Sequence, residues 1–411
     1  MQTVNAHAGG ADVGLGVAIL LLACNAIGFE ILDSTDEEWV APGFEVVEEA
    51  VIDPLEYGEP FSNDGDPSVG VHLSFVASDS SEVWRVVFVL DRKVVVLEEG
   101  SDPVEIPVDL GIESCAFSPS GRFVVVHDGA EEYTGWNAAR IDTETGEAEI
   151  FDSQPGGQPG PRSIVVSNIG SVLCGWTFFD EHLDSIGRGA DLQNPGAPVV
   201  SSDGSYWAVA EGYGWSIHLL DRTGAEIWSR SSSGTLADRM VFSPDETLLA
   251  VPLCSGLEIW DTETGETIWR DDSDRIGSTP TFDPSANSFW FGRCGYDLPS
   301  ALQNGDACIT IAGYDGKYRH WRVIAASPEI LLIELESQNP SLRRRAVINL
   351  DGEVVWMSSA SERSYPGPLS ATGRTFRYSV NSLRFGLSSS GELVGLAPGE
   401  AIRFLDIREV D

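Results

Sequence analysis

Side chains able to do chemistry are thinly spread along this chain. Its six histidines stand singly at His7, His72, His127, His182, His218 and His320, without a second ligand at the spacing of a zinc site. The six cysteines are Cys24, Cys115, Cys174, Cys254, Cys294 and Cys308. None forms a C-x-x-C pair, so neither a zinc ribbon nor a dithiol redox centre is signalled. Cys115, Cys174 and Cys254 sit in apolar runs (SCAFS, SVLCGW, AVPLCS), where a thiol serves as a small buried hydrophobe. Cys294 and Cys308 flank a polar loop and are the candidate disulfide. Motifs for a nucleophile elbow, a zinc protease helix, a phosphate loop and a calcium loop are missing. No catalytic residue, metal site or cofactor is therefore expected. The residues with a binding chemistry are aromatics beside glycine: Tyr133 and Trp136, Trp176 with Phe178 and Phe179, Tyr213 and Trp215, and Tyr296. Clustered rings of this kind are enriched at the cores of protein interfaces. Their alternative use is to pack loops onto the edges of sheets.

What positions those rings is a repeat. A short apolar strand, a Ser-Pro-x-Gly-like turn and a strongly apolar strand recur. After a variable loop come a strand ending in Asp, a Thr-Gly-Glu-like turn and a last strand. CAFSPSGRFVVVH with ARIDTETGEAEIFD, and MVFSPDETLLAVP with LEIWDTETGETIW, are the clearest copies. The first-turn markers Ser78, Ser118, Ser167, Ser202, Ser243, Asp283, Ser327 and Ser370 lie 35 to 49 residues apart, the period of a four-stranded propeller blade. Alternating β-branched and aromatic residues favour pleated strands, and Asp-Gly or Thr-Gly pairs favour tight hairpins. A single such unit leaves its faces uncovered, whereas a closed ring covers them and removes exposed edges. The expectation is an all-β propeller of about eight blades over residues 68–411. The number becomes seven if Arg162 to Asn194, which lacks a recognisable second hairpin turn, only elaborates a neighbour. Loops joining second and third strands then emerge on one face, where they carry the aromatic residues named above.

The repeat also resembles two known families. Trp260-Asp261 in LEIWDT is similar to the dipeptide that closes the third strand of WD repeats. Asp261-Thr262-Glu263-Thr264-Gly265, with Trp269 four residues on, resembles the quinoprotein-type repeat, whose tryptophan docks one blade onto the next. Asp221, Thr223, Gly224 and Trp228 match it with one residue fewer, and Asp351, Gly352 and Trp356 in part. The resemblance implies architecture. The Gly-His pair of WD repeats and the adjacent cysteines of quinone-using dehydrogenases are both missing. Relatives that keep the docking tryptophan without the cofactor resemble outer-membrane assembly scaffolds, which implies a protein partner here.

Charge narrows the setting. Sixty-four acidic residues oppose 25 basic ones, a net −39, and Lys occurs only at Lys93 and Lys317. Acidic residues are spread along the whole chain, which describes a folded surface and not a tail. Self-repulsion of that size is tolerable where salt screens it. The composition points to a halophilic source, a haloarchaeon, with an ordinary acidic secreted protein as the alternative. Nucleic acid is excluded as a partner for want of a basic surface. The one basic cluster, Arg343-Arg344-Arg345, is expected to neutralise neighbouring carboxylates.

Residues 1–29 contain the apolar run GLGVAILLLACNAIGF, short for a bilayer span and suited to a signal core. Leu21-Leu22-Ala23-Cys24 resembles a lipobox, making Cys24 a candidate lipidation site, although no Lys or Arg precedes the run. A membrane contact is expected only if this segment anchors the chain; the alternative is a buried element of a cytoplasmic protein. Residues 30–67 read as an acidic lead-in that could add a strand. The expected function is that of a non-catalytic, monomeric scaffold for a protein partner. The alternative is a hydrolase or lyase holding a small polar ligand in the central channel.

Overall fold

A computed structural model describes residues 38–63, 66–77, 82–128, 137–152, 164–174, 177–188, 196–211, 216–234, 236, 240–271, 280–282, 288–291, 294–297, 307–308, 318–327, 330–337, 342–358, 361–362, 377–378, 385–387, 393–396 and 402–410. Among them the strands assort into eight sheets, almost wholly antiparallel. The first sheet holds Asp66–Ala77, Glu82–Leu90, Lys93–Glu98 and Val104–Pro107. The second holds Ser114–Phe117, Phe123–His127, Asn137–Asp142 and Glu147–Asp152. Ile164–Val166, Val172–Cys174, Thr177–Phe179 and Ser185–Arg188 make the third. Gly196–Val200, Tyr206–Glu211, Ser216–Asp221 and Glu226–Ser231 make the fourth. The fifth is Val241–Phe242, Leu248–Leu253, Gly256–Asp261 and Thr267–Asp271. The sixth is Thr281–Phe282, Ser288–Phe291, Cys294–Asp297 and Ala307–Cys308. In the seventh, Tyr318–Ala326, Ile330–Ser337, Leu342–Asn349 and Val354–Met357 are joined on the outside by Trp39–Val40. The eighth combines Phe385–Leu387, Leu393–Leu396 and Ile402–Glu409 with Phe44–Ile52.

Apolar layers close these sheets into a ring. Eight clusters of buried side chains each lie between two consecutive sheets. Val89 and Val94 of the first sheet meet Val124 and Ile141 of the second, and the series runs round to Phe88 of the first against Phe404 of the eighth. Both faces of a blade are thereby removed from water, so the strands read as continuous apolar runs such as VVFVL and FVVVH. This is the propeller solution to sheet packing. The ring is fastened where Phe44–Ile52 runs antiparallel to Ile402–Glu409, and Arg403 clamps it by pairing with Glu48 at 2.6 Å and Glu38 at 3.0 Å.

Several sequence readings shift at this level. Residues 38–63, part of the lead-in, contribute strands to the seventh, eighth and first sheets. In the fourth repeat the turn serine is Ser201, not Ser202: its amide donates to the Tyr206 carbonyl and its hydroxyl accepts from the Tyr206 amide. In the seventh, the capping side chain is Asn349, not Asp351, for its Oδ1 accepts from the amides of Asp351 and Glu353. Ser370 does not mark the last first-hairpin turn, which joins Phe385–Leu387 to Leu393–Leu396. Arg377–Tyr378 lies instead parallel to Ser68-Val69 of the first sheet. The second hairpin of the third sheet is Asp180 to Asp184, with Asp180 Oδ1 accepting from the amides of His182 and Asp184. Leu183 takes the left-handed position, φ 60°, where other repeats have glycine.

Candidate partner-binding surface

Two turns per repeat organise the surface. At the first hairpin a buried serine (Ser118, Ser167, Ser201, Ser243) accepts the amide hydrogen of the residue that resumes the strand, at 3.0–3.1 Å. These turns are also tied to each other: the Ser120 amide donates to Asn168 Oδ1 of the next sheet, and the Asp203 amide to Glu246 Oε1 at 2.7 Å. Glu246 occupies a left-handed position, φ 62°, that Gly121, Gly170 and Gly204 fill in their repeats. Burial, and then the hydrogen-bonded Asp203 carboxyl, push the Glu246 carboxyl up to about 7. For Asp203 burial works against ionisation, but hydrogen bonds from Glu246, Ser205 and Ser201 hold it at about 2.

At the second hairpin the aspartate caps its own turn. Asp261 Oδ1 accepts from the Thr264 amide at 2.7 Å, and Asp221 Oδ1 from the amides of Thr223 and Ala225. The docking tryptophan is seen directly: Trp228 of the fourth sheet donates from Nε1 to the Thr262 carbonyl of the fifth, 2.9 Å. Its ring lies against Gly265, where an added Cβ would stand 2.8 Å from Trp228 Cδ2.

Of the thiols expected to be small buried hydrophobes, Cys115 and Cys174 are buried, whereas Cys254 is exposed because it follows the strand Leu248–Leu253 in its turn. His72 is buried, with Nε2 on the Pro119 carbonyl at 3.0 Å, and burial brings it down to about 4. Burial does the same for His127. His218 stands between Glu226 and Glu211, at 2.8 and 3.2 Å. Glu334 is flanked by Arg322 at 3.3 Å and Arg345 at 3.5 Å, so part of the arginine cluster neutralises a buried carboxylate. Among the described residues no group of three or more His, Cys, Asp or Glu could hold a metal ion.

The aromatic face is only partly within view. Tyr133, Trp136, Trp176, Tyr213 and Trp215 lie outside the described residues, as do Cys24 and the rest of residues 1–29. Tyr296 belongs to the strand Cys294–Asp297, opposite Phe289. Phe178 and Phe179 are corrected: both are buried, Phe178 edge-on to Trp207 and Phe179 to Phe151, so neither can meet a partner. The strand alternates them onto opposite faces, and each face is covered by a neighbouring sheet. Cys294 lies directly opposite Cys308 in the backbone register.

A feature that the sequence reading missed stands on the circumference. The outermost strands of five consecutive sheets each expose one β-branched aliphatic residue: Val104, Ile150, Ile186, Ile227 and Ile268. The signal was an Ile before the docking ring, in EIF, EIW and TIW. Open edge strands also present backbone groups available for pairing.

No protein-family profile and no curated protein matches this chain. Among solved structures it is similar to BamB from Moraxella catarrhalis, with TM-score 0.51 and 12% identity over 88% of this chain and 98% of that one. A chain of the mitotic checkpoint complex also aligns, with TM-score 0.43 and 14% identity over 87% and 93%. At 12% identity the likeness to the first of these speaks for the fold alone.

Proposed function

We propose that this propeller is a non-catalytic protein-interaction scaffold of a halophilic cell. The observation that carries the reading is the recurrence, among the described residues, of an exposed aliphatic residue on the outer strand of five consecutive sheets. Three of the five, Ile186, Ile227 and Ile268, stand at the same bulged position of their strands, and that recurrence on outer strands supports contact with proteins. The ring supplies the rigidity such a platform needs, since each sheet is locked to the next through an apolar layer. The looped face expected to carry Tyr133, Trp136, Trp176, Tyr213 and Trp215 is the proposed second contact area, set on the acidic surface; Tyr296, which lies within a strand, is not part of it. The net −39 supports a saline setting, in which the Debye length shrinks to about 3 Å at roughly 1 M salt.

The test is a tagged pull-down with mass spectrometry in molar potassium chloride. Recovery of a reproducible protein partner, weakened by Trp136→Ala and Trp215→Ala, is the expected result. Recovery of no protein would overturn the scaffold reading and favour a small ligand in the central channel.

A further inference from the structure

The outer strands of four sheets share an irregularity. In the third sheet Phe178 pairs with Gly187 and Phe179 with Ser185, which leaves Ile186 as the extra residue of a bulge. In the fourth, Leu219 pairs with Trp228 and Leu220 with Glu226, leaving Ile227. In the fifth, Ile259 pairs with Trp269 and Trp260 with Thr267, leaving Ile268. In the seventh, Val347 pairs with Trp356 and Ile348 with Val354, leaving Val355. The four aliphatic residues are structural equivalents, yet their environments differ. Ile186, Ile227 and Ile268 are 36%, 43% and 39% exposed, whereas Val355 is 3% exposed.

Val355 is covered in two ways: it lies in the apolar layer against Leu405 and Ile407 of the eighth sheet, and a further strand adds to its own. On the seventh sheet Trp39–Val40 pairs antiparallel to the outer strand, Val40 opposite Trp356 and Trp39 opposite Met357. The Ala41 amide then donates to the carbonyl of the bulged Val355 itself, 2.9 Å. Among the described residues no fifth strand lies on the fourth or fifth sheet. A bulge often serves to blunt a sheet edge against pairing. Here it does not, because the paired strand of the seventh sheet carries the same bulge.

We infer that the outer strands Glu226–Ser231 and Thr267–Asp271 are docking sites for an extended, cationic segment of a partner protein. The segment adds to the sheet as Trp39–Val40 does and covers Ile227 or Ile268. This rests on the scaffold reading and names the chemistry of its partner. These two edges are chosen over the third because each repeats the aliphatic–Trp pair of Val355-Trp356. Strand addition supplies backbone hydrogen bonds, and the side chains that flank them confer selectivity. The occupant follows from charge: at about 0.1 M salt, Debye length about 10 Å, a −39 surface attracts a basic segment, while a second copy of this chain carries the same charge and is repelled.

The probe is a fluorescein-labelled peptide with a tryptophan–valine–alanine centre flanked by lysines, titrated at moderate salt and followed by anisotropy. Amide hydrogen exchange is read in parallel. The expected result is slowed exchange in residues 226–231 and 267–271. The double variant Ile227→Asp, Ile268→Asp is expected to bind roughly ten-fold more weakly or worse, a loss of about 1.4 kcal/mol, with thermal unfolding unchanged. Equal binding by the double variant, or protection confined to other segments, would overturn the inference. So would sedimentation that shows a dimer dissolved by the same substitutions, since a second copy would then be the occupant. The pull-down keeps the two ideas apart. A partner captured equally by the parent chain and the double variant removes the edges and leaves the scaffold. Failure to capture any protein removes the scaffold itself.

Discussion

At the scale of single residues, the turn serines are small parts with measurable weight. Ser243 is buried, accepts from the Leu248 amide at 3.0 Å and donates to Asp245 at 2.6 Å. Ser243→Ala orphans that amide, so unfolding free energy should fall by about 1–3 kcal/mol. A lower denaturant midpoint with an unaltered slope would show it. Glu246 gives a pH effect whose sign can be stated. Its folded value of about 7 lies above the ordinary 4.5, so the folded chain holds a proton that the unfolded chain releases. The stabilisation is complete below about pH 4.5 and disappears as pH rises through 7. Gln mimics the protonated acid, so Glu246→Gln should match the parent in melting temperature at pH 5 and exceed it at pH 8. Equal melting temperatures at pH 8 would count against a proton held there. Residue types showed where turns fall, because Ser, Asp and Gly are tied to them by hydrogen bonding and by φ. They were silent where a substitute does the work, as Leu183 and Asn349 do. The one-residue choice between Ser201 and Ser202 is decided only by which hydroxyl faces inward.

At the scale of elements, the docking tryptophan offers a paired comparison. Gly146 and Gly265 both hold positive φ, +75° and +68°, but only Gly265 has a neighbour, the Trp228 ring. Gly146→Ala should cost about 1–2 kcal/mol for the backbone alone. Gly265→Ala should cost more, since the indole must also move, and its tryptophan fluorescence should shift. The sixth sheet closes on the two-residue strand Ala307–Cys308. Residues opposite one another in antiparallel strands have Cα atoms about 4.5–5.5 Å apart, within the range of about 4.4–6.8 Å that a disulfide spans. Unreduced peptide mapping of oxidised protein should find Cys294 joined to Cys308. Free thiols at both would dismiss the bridge. The spacing of these cysteines was visible beforehand and their register was not, since register depends on where the intervening turn closes. Phe178 and Phe179 were misread for a related reason. A strand buried on both faces lacks polar alternation, so it cannot be told from an apolar loop in a sequence.

At the scale of the whole molecule, the fold was legible because it repeats, and closure was not, because it happens once. The strand Phe44–Ile52 looks like an acidic lead-in; its partner Ile402–Glu409 is too distant for any local pattern to show. A charge of −39 on a closed ring predicts salt dependence. The melting temperature should climb as potassium chloride is raised from about 0.1 M, Debye length about 10 Å, to about 1 M, where it is about 3 Å. A melting temperature indifferent to salt would remove the halophilic part of the proposal.

The same fastening has a consequence in time. Arg403 and Glu48 are separated by 355 positions, so the last sheet cannot form until nearly the whole chain has been made. At roughly 5–20 residues per second of synthesis, the early strand waits on the order of 20 to 70 s for its partner. During that interval it is an unpaired ribbon, open to chaperones and to other nascent chains. Refolding from denaturant meets the same long loop, and pairing so remote in sequence is slow for entropic reasons. The contact that makes the finished ring durable is thus the one that exposes the unfinished chain longest.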